Sequence, residues 1–86
     1  MFNIIRSIEK PYKFLKVDND ELRLVDSIEE CSVFYRYDFG ITFYLERTRG
    51  TFKDFNFVVS DLPSWLVSDY NKQVIAYKLT DYKDSL

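Results

Sequence analysis

Residues Ser32 to Ser60 read SVFYRYDFGITFYLERTRGTFKDFNFVVS, and the architecture turns on how this stretch folds. Apolar and polar residues alternate on either side of two glycine-ended triplets, Asp38-Phe39-Gly40 and Thr48-Arg49-Gly50. A three-residue hairpin loop commonly ends in a left-handed residue, and glycine fills that place without steric cost. Taking both triplets as such loops sets the register. The first pairs Tyr37 with Ile41, Tyr35 with Phe43 and Val33 with Leu45. The second pairs Ile41 with Phe57 and Phe43 with Phe55. Both loops then put Val33, Tyr35, Tyr37, Ile41, Phe43, Leu45, Phe55, Phe57 and Val59 on one inward face, and their agreement favours a meander. Lys53 opposite Leu45 is the one misfit.

Upstream, Tyr12 to Val17 and Leu22 to Ser27 read as strands around an Asp18-Asn19-Asp20-Glu21 turn. That turn pairs Val17 with Leu22 and Leu15 with Leu24, apolar on apolar. Asn and Asp suit it because they bond the local backbone and tolerate positive φ. Ser27-Ile28-Glu29-Glu30 has the capping-box form and predicts one helical turn or a tight loop. At the N-terminus Met1, Ile4, Ile5 and Ile8 follow helical spacing and predict a short helix ended by Pro11; a strand is the alternative. Downstream, Leu62, Trp65, Leu66 and Tyr70 share a helical stripe behind a Ser60 or Asp61 cap, with Trp65 in the core. Ile75, Tyr77 and Leu79 then alternate as a last strand, and the tail from Thr80 is expected to fray.

The expected fold class is therefore α+β: an antiparallel β-meander of five or six strands in a single domain spanning 1–86. The sheet is open or bent into a partly open barrel, with one helix packed on one face and the short N-terminal helix.

Composition narrows the chemistry. The chain has 86 residues, no histidine and one cysteine. That removes Ser-His-Asp and Cys-His nucleophile pairs and Cys/His zinc clusters. Two glycines, Gly40 and Gly50, cannot form a phosphate-binding loop. The scattered carboxylates suggest no acid–base pair beside an apolar pocket. No catalysis, cofactor or metal is expected. Asp18-Asn19-Asp20-Glu21 resembles the start of a calcium loop but lacks its glycine and later glutamate, so a plain turn is the reading. No charge-free stretch exceeds seven residues, too short for a membrane span of about 20. A lone thiol fits a reduced, cytoplasmic setting, and Cys31 reads as a small buried residue.

Net charge is −2, unevenly placed. Arg6, Lys10, Lys13 and Lys16 form a basic segment that could meet phosphate or an acidic partner, or could flank an edge strand against unwanted pairing. Asp18 to Glu30 is acidic.

The outward face of the meander is the candidate partner-binding site: Phe34, Arg36, Thr42, Tyr44, Phe52 and Asp54. Aromatics with arginine and polar neighbours are the composition of interface hot spots. The bland reading is a solvated sheet face whose aromatics serve cross-strand pairing. The function expected is a small non-enzymatic protein-binding module that occupies a partner protein's surface, as an inhibitor, antitoxin-like factor or adaptor. Phage proteins that block host machinery offer an analogy. The alternative is a single-stranded nucleic-acid binder stacking bases on Phe34 and Tyr44 beside Arg36, Arg47 and Arg49, against which the acidic balance stands. A homo-oligomer through the exposed face or through an edge strand at Tyr12–Val17 is a further option. The tail Asp84-Ser85-Leu86 has the look of a peptide-groove ligand, a match too short to carry weight.

Overall fold

The computed structural model describes residues 2–35 and 39–84. The fold is α+β with a five-stranded antiparallel sheet that does not close. Its strands are β1 (Phe2–Ser7), β2 (Phe14–Asp18), β3 (Glu21–Val25), β4 (Phe34–Tyr35) and β5 (Phe57–Leu62). Helix α1 (Phe39–Thr51) precedes β5. A short hairpin, β6 (Val67–Ser68) and β7 (Gln73–Val74), and helix α2 (Leu79–Asp84) follow it.

Strand β1 is the centre of the sheet. One edge pairs with β5 along its whole length, from Phe2↔Leu62 to Ser7↔Phe57. The other edge is divided: β4 takes Phe2 and Asn3, and β2 takes Arg6. Side chains of β1 alternate between two cores. Ile5 joins Leu15, Phe34 and Phe57 under α1. Phe2 and Ile4 join Phe14, Ile28, Leu62 and Leu66 on the opposite face, covered by the chain after β5. The N-terminal segment is thus a strand and not the expected helix. A strand buried on both faces does not show simple apolar–polar alternation, and here Ile4 and Ile5 are adjacent yet both buried. Two buried polar residues anchor it. Asn3 donates its Nδ2 to Asp61 Oδ1 directly across the β1–β5 pair. Ser7 Oγ accepts from the Lys13 amide at 2.8 Å and donates to Glu9 O at 3.1 Å, closing the β1–β2 connection.

The β2–β3 hairpin has the expected register, including Val17↔Leu22 and Leu15↔Leu24. Asn19 and Asp20 both have positive φ, 50° and 65°, as a two-residue mirror-image turn requires. Ile28–Glu30 is the expected single helical turn. Ser27 Oγ does not cap it but donates to Glu29 Oε1 at 2.9 Å. Strand β2 is interior, between β3 and β1, so the lysines near it do not guard an edge as expected.

The two hairpins expected within Ser32–Ser60 are replaced, because residues from Phe39 to Thr51 wind as helix α1. Its inward stripe is Ile41, Tyr44, Leu45 and Thr48, followed by Phe52, and it docks on Ile5, Leu15, Phe34 and Phe57. Such packing, more than intrinsic propensity, decides whether a segment is helical. Buried Thr48 donates Oγ1 to Tyr44 O at 2.6 Å, and the Phe52 amide donates to Thr48 O at 2.9 Å. Arg49 in the last turn donates Nη2 to Phe57 O at 3.0 Å, tying the helix end to β5.

Gly50 lies in this helix at negative φ, and a Cβ there meets open space. Gly50→Ala is therefore expected to stabilise the domain by about 0.5 kcal/mol, raising Tm by about 3 °C. In a left-handed loop the same change destabilises by about 1 kcal/mol, so the sign of the calorimetric shift separates helix from hairpin.

Downstream, β5 extends through Leu62, which leaves one 3-10 turn at Ser64–Leu66 in place of the expected Trp65 helix. A 3-10 turn at Ala76–Lys78 and α2 replace the expected last strand. Through Asp84 the chain continues as α2 and does not fray as expected, for Tyr82 is buried in the second core; Ser85 and Leu86 lie outside the described residues.

Candidate functional site

The five nominated residues that the structure describes do not share one surface. Phe34 is only 9% exposed and lies under α1, its ring 5.8 Å from that of half-buried Tyr44. Phe52 is half-buried, 6.3 Å from Phe57. Thr42 is exposed on the outer side of α1, and Asp54 is exposed in the turn after it. Arg36 lies outside the described residues. The helical period turns Tyr44 inward with Ile41 and Leu45, where an alternating strand would have faced it outward. The base-stacking platform is not assembled either. Arg47 packs over Phe43 at 5.4 Å, and Arg49 is bonded to β5.

Besides Phe43 and Phe55, exposed aromatics lie on β4 and in the chain after β5. Trp65 is 45% exposed, Tyr77 83% and Tyr70 97%, and Tyr35 is half-exposed. Pro63 leaves β5 in extended conformation and the 3-10 turn buries Leu66, which sets Trp65 outward. Tyr70 sits in the loop between β6 and β7, where Lys72 has φ 51° and its amide bonds Ser68 O at 2.8 Å. Asn71 Oδ1 accepts from the Gln73 amide at 3.2 Å and braces the loop. Two lysines join the rings in pairs. Lys72 Nζ lies 4.7 Å from the Tyr35 ring centre. Lys78 Nζ lies 5.9 Å from that of Tyr77 and donates to Trp65 O at 3.0 Å. The Asp69-Tyr70-Asn71-Lys72 turn cluster between Val67 and Val74 was the sequence signal for this hairpin, hidden by the apparent helical stripe.

A second feature is a cleft of ≈ 820 Å³ beside β1, on the face opposite α1. Phe14, Ile28 and Pro11 line it, and Arg6, Lys10, Tyr12, Asp26 and Tyr82 border it. A recess of ≈ 30 Å³ that reaches Ile4 shares Arg6, Tyr12, Phe14, Ile28 and Tyr82 with it. The Arg6 guanidinium stands 4.8 Å above the Tyr12 ring, and Lys10 Nζ is 5.7 Å from the same ring. Lys13 is ion-paired with Asp26 at the cleft border. Burial pushes the Tyr82 phenol above its ordinary value; the Arg6 charge opposes this, and Cys31 adds to it.

Cys31 is buried and without a disulfide partner. Burial pushes its thiol up to about 12, outweighing the pull of Lys16 and of a backbone hydrogen bond. The thiol is therefore protonated at neutral pH and is no nucleophile. Among the described residues no cluster of acidic or cysteine side chains could hold a metal ion, and no helix is long and apolar enough to cross a membrane. No protein-family model, curated protein or solved structure matches the chain.

Proposed function

We propose that this protein is a small non-enzymatic binding module that occupies a partner protein's surface, as an inhibitor, antitoxin-like factor or adaptor. The observation that carries the reading is the exposed set Trp65, Tyr70, Tyr77 and Tyr35. Tryptophan and tyrosine dominate interface hot spots, and a folded protein rarely leaves several such rings in water without use. Tyr35 stands on β4, Trp65 and Tyr77 on two 3-10 turns and Tyr70 in the braced β6–β7 loop, so the backbone that carries them needs little ordering on docking. The net charge of −2 lacks the electrostatic footprint of a nucleic-acid binder.

The test is capture from native host lysate with and without nuclease, using the protein and its Trp65→Ala/Tyr77→Ala variant. A defined protein retained after nuclease, and bound about 30-fold or more weakly by the variant, is the expected result. Circular dichroism checks that the variant stays folded. Equal capture by the variant removes the surface. Capture that nuclease abolishes replaces the reading with nucleic-acid binding.

A further inference from the structure

We propose that the cleft beside β1 binds a small amphiphilic carboxylate, with its anion between Arg6 and Lys10 and its hydrocarbon portion against Phe14 and Ile28. The proposal is independent of the aromatic surface.

Shape gives the first reason. The cleft is ≈ 820 Å³, and a recess of ≈ 30 Å³ shares Arg6, Tyr12, Phe14, Ile28 and Tyr82 with it. Small-molecule sites run from roughly 300 to 1,000 Å³ and are mostly apolar, with few polar groups placed to orient the ligand. Here Phe14, Ile28 and Pro11 supply the apolar wall.

Charge gives the second. Arg6 is half-buried at the cleft, yet among the described residues it forms no ion pair. Its one hydrogen bond there runs from Nη1 to Ser7 O at 3.0 Å. A guanidinium carries five N–H donors and no acceptor, so Arg6 retains donors for an anion. Lys10 is exposed and also forms no ion pair among the described residues. Both cations pack on the Tyr12 ring, which fixes them at one end of the cleft. Lys13 is already neutralised by Asp26. With Asp26 already paired to Lys13, Arg6 and Lys10 are left to donate together to the oxygens of one carboxylate.

The test uses octanoate as probe and the full chain, followed by amide chemical shifts, with octan-1-ol and octylammonium as controls. Octanoate is expected to shift the amides of residues 10, 12–14, 26–28 and 82 saturably. Octylammonium is expected to bind far more weakly. Arg6→Gln should weaken octanoate about tenfold, as for a lost charge-assisted hydrogen bond. Lys10→Gln at an exposed position should weaken it about threefold, and it decides the matter should Arg6→Gln fail to fold. Absence of saturable shifts, shifts centred on Trp65 and Tyr77, equal binding of octanol, or unchanged affinity in the folded variants overturns the proposal.

Discussion

A Phe57→Ala variant is expected to lose about 3–5 kcal/mol of stability, and Phe55→Ala less than about 1 kcal/mol. Phe57 is 1% exposed, at the start of β5, and packs with Ile5, Leu15 and Phe34 beneath α1. Its ring meets Phe52 at 6.3 Å and Phe55 at 6.1 Å. Deleting it removes the transfer free energy of a whole ring and leaves a cavity at the seam between helix and sheet. Phe55 is substantially exposed and gives up far less. For 86 residues the total stability is on the order of 4–13 kcal/mol, so the Phe57 loss is a large share of it. Urea denaturation should show a midpoint about 2 M lower or more for Phe57→Ala and nearly unchanged for Phe55→Ala. The pair is diagnostic, because a meander would bury both rings on one face. Equal losses would reject the helix-covered core.

The second large effect is a reversal with pH. The folded Cys31 thiol has its pKa raised from 9.0 to about 12, chiefly by burial. The unfolded chain therefore releases this proton first. The associated stability is fully present below pH 9 and is lost as pH rises towards 12. In that window the protein should lose about 1.4 kcal/mol per pH unit through this group. Cys31→Ala is exempt from that loss, but at pH 7 it should be about 1 kcal/mol less stable because it leaves a small void. The order of stability should cross near about pH 10. Parallel denaturation curves of the two proteins from pH 7 to 11 test this, since every other titrating group is common to both. A constant offset across the range would sink it.

Short-range features of the chain were readable and long-range ones were not. The Asn19-Asp20 turn and the register of β2 with β3 follow from local turn chemistry and apolar pairing. The helical turn after Ser27, the burial of Cys31 and the antiparallel α+β class were also within reach. Strand β1 was misread because Ile4, Ile5 and Ile8 fit helical spacing, whereas Ile4 and Ile5 serve opposite cores and Ile8 lies exposed beyond the strand. Helix α1 was misread because Ile41, Thr42, Phe43 and Tyr44 favour strands and two glycines sit where loops would want them. The competing spacing Ile41, Tyr44, Leu45, Thr48 was present in the same residues. What decides between them is the apolar surface of β1, β2 and β5, which needs a cover. The same period turns Phe34 and Tyr44, expected to face outward, towards each other inside. Trp65 and Tyr82 exchanged roles for a similar reason: β5 runs to Leu62 and leaves no room for the helix that would have buried Trp65.

The partnership of β1 with β5 joins segments fifty to sixty residues apart. During synthesis the central strand emerges long before its mate, while the β2–β3 hairpin closes alone within microseconds, about 1–10 μs. Assembly then waits on a wide loop closure, which places the domain among the slower α/β folders despite its size. Until β5 arrives, Phe2, Ile4 and Ile5 stand uncovered on the nascent chain, a sticky template during the interval when a chaperone would act.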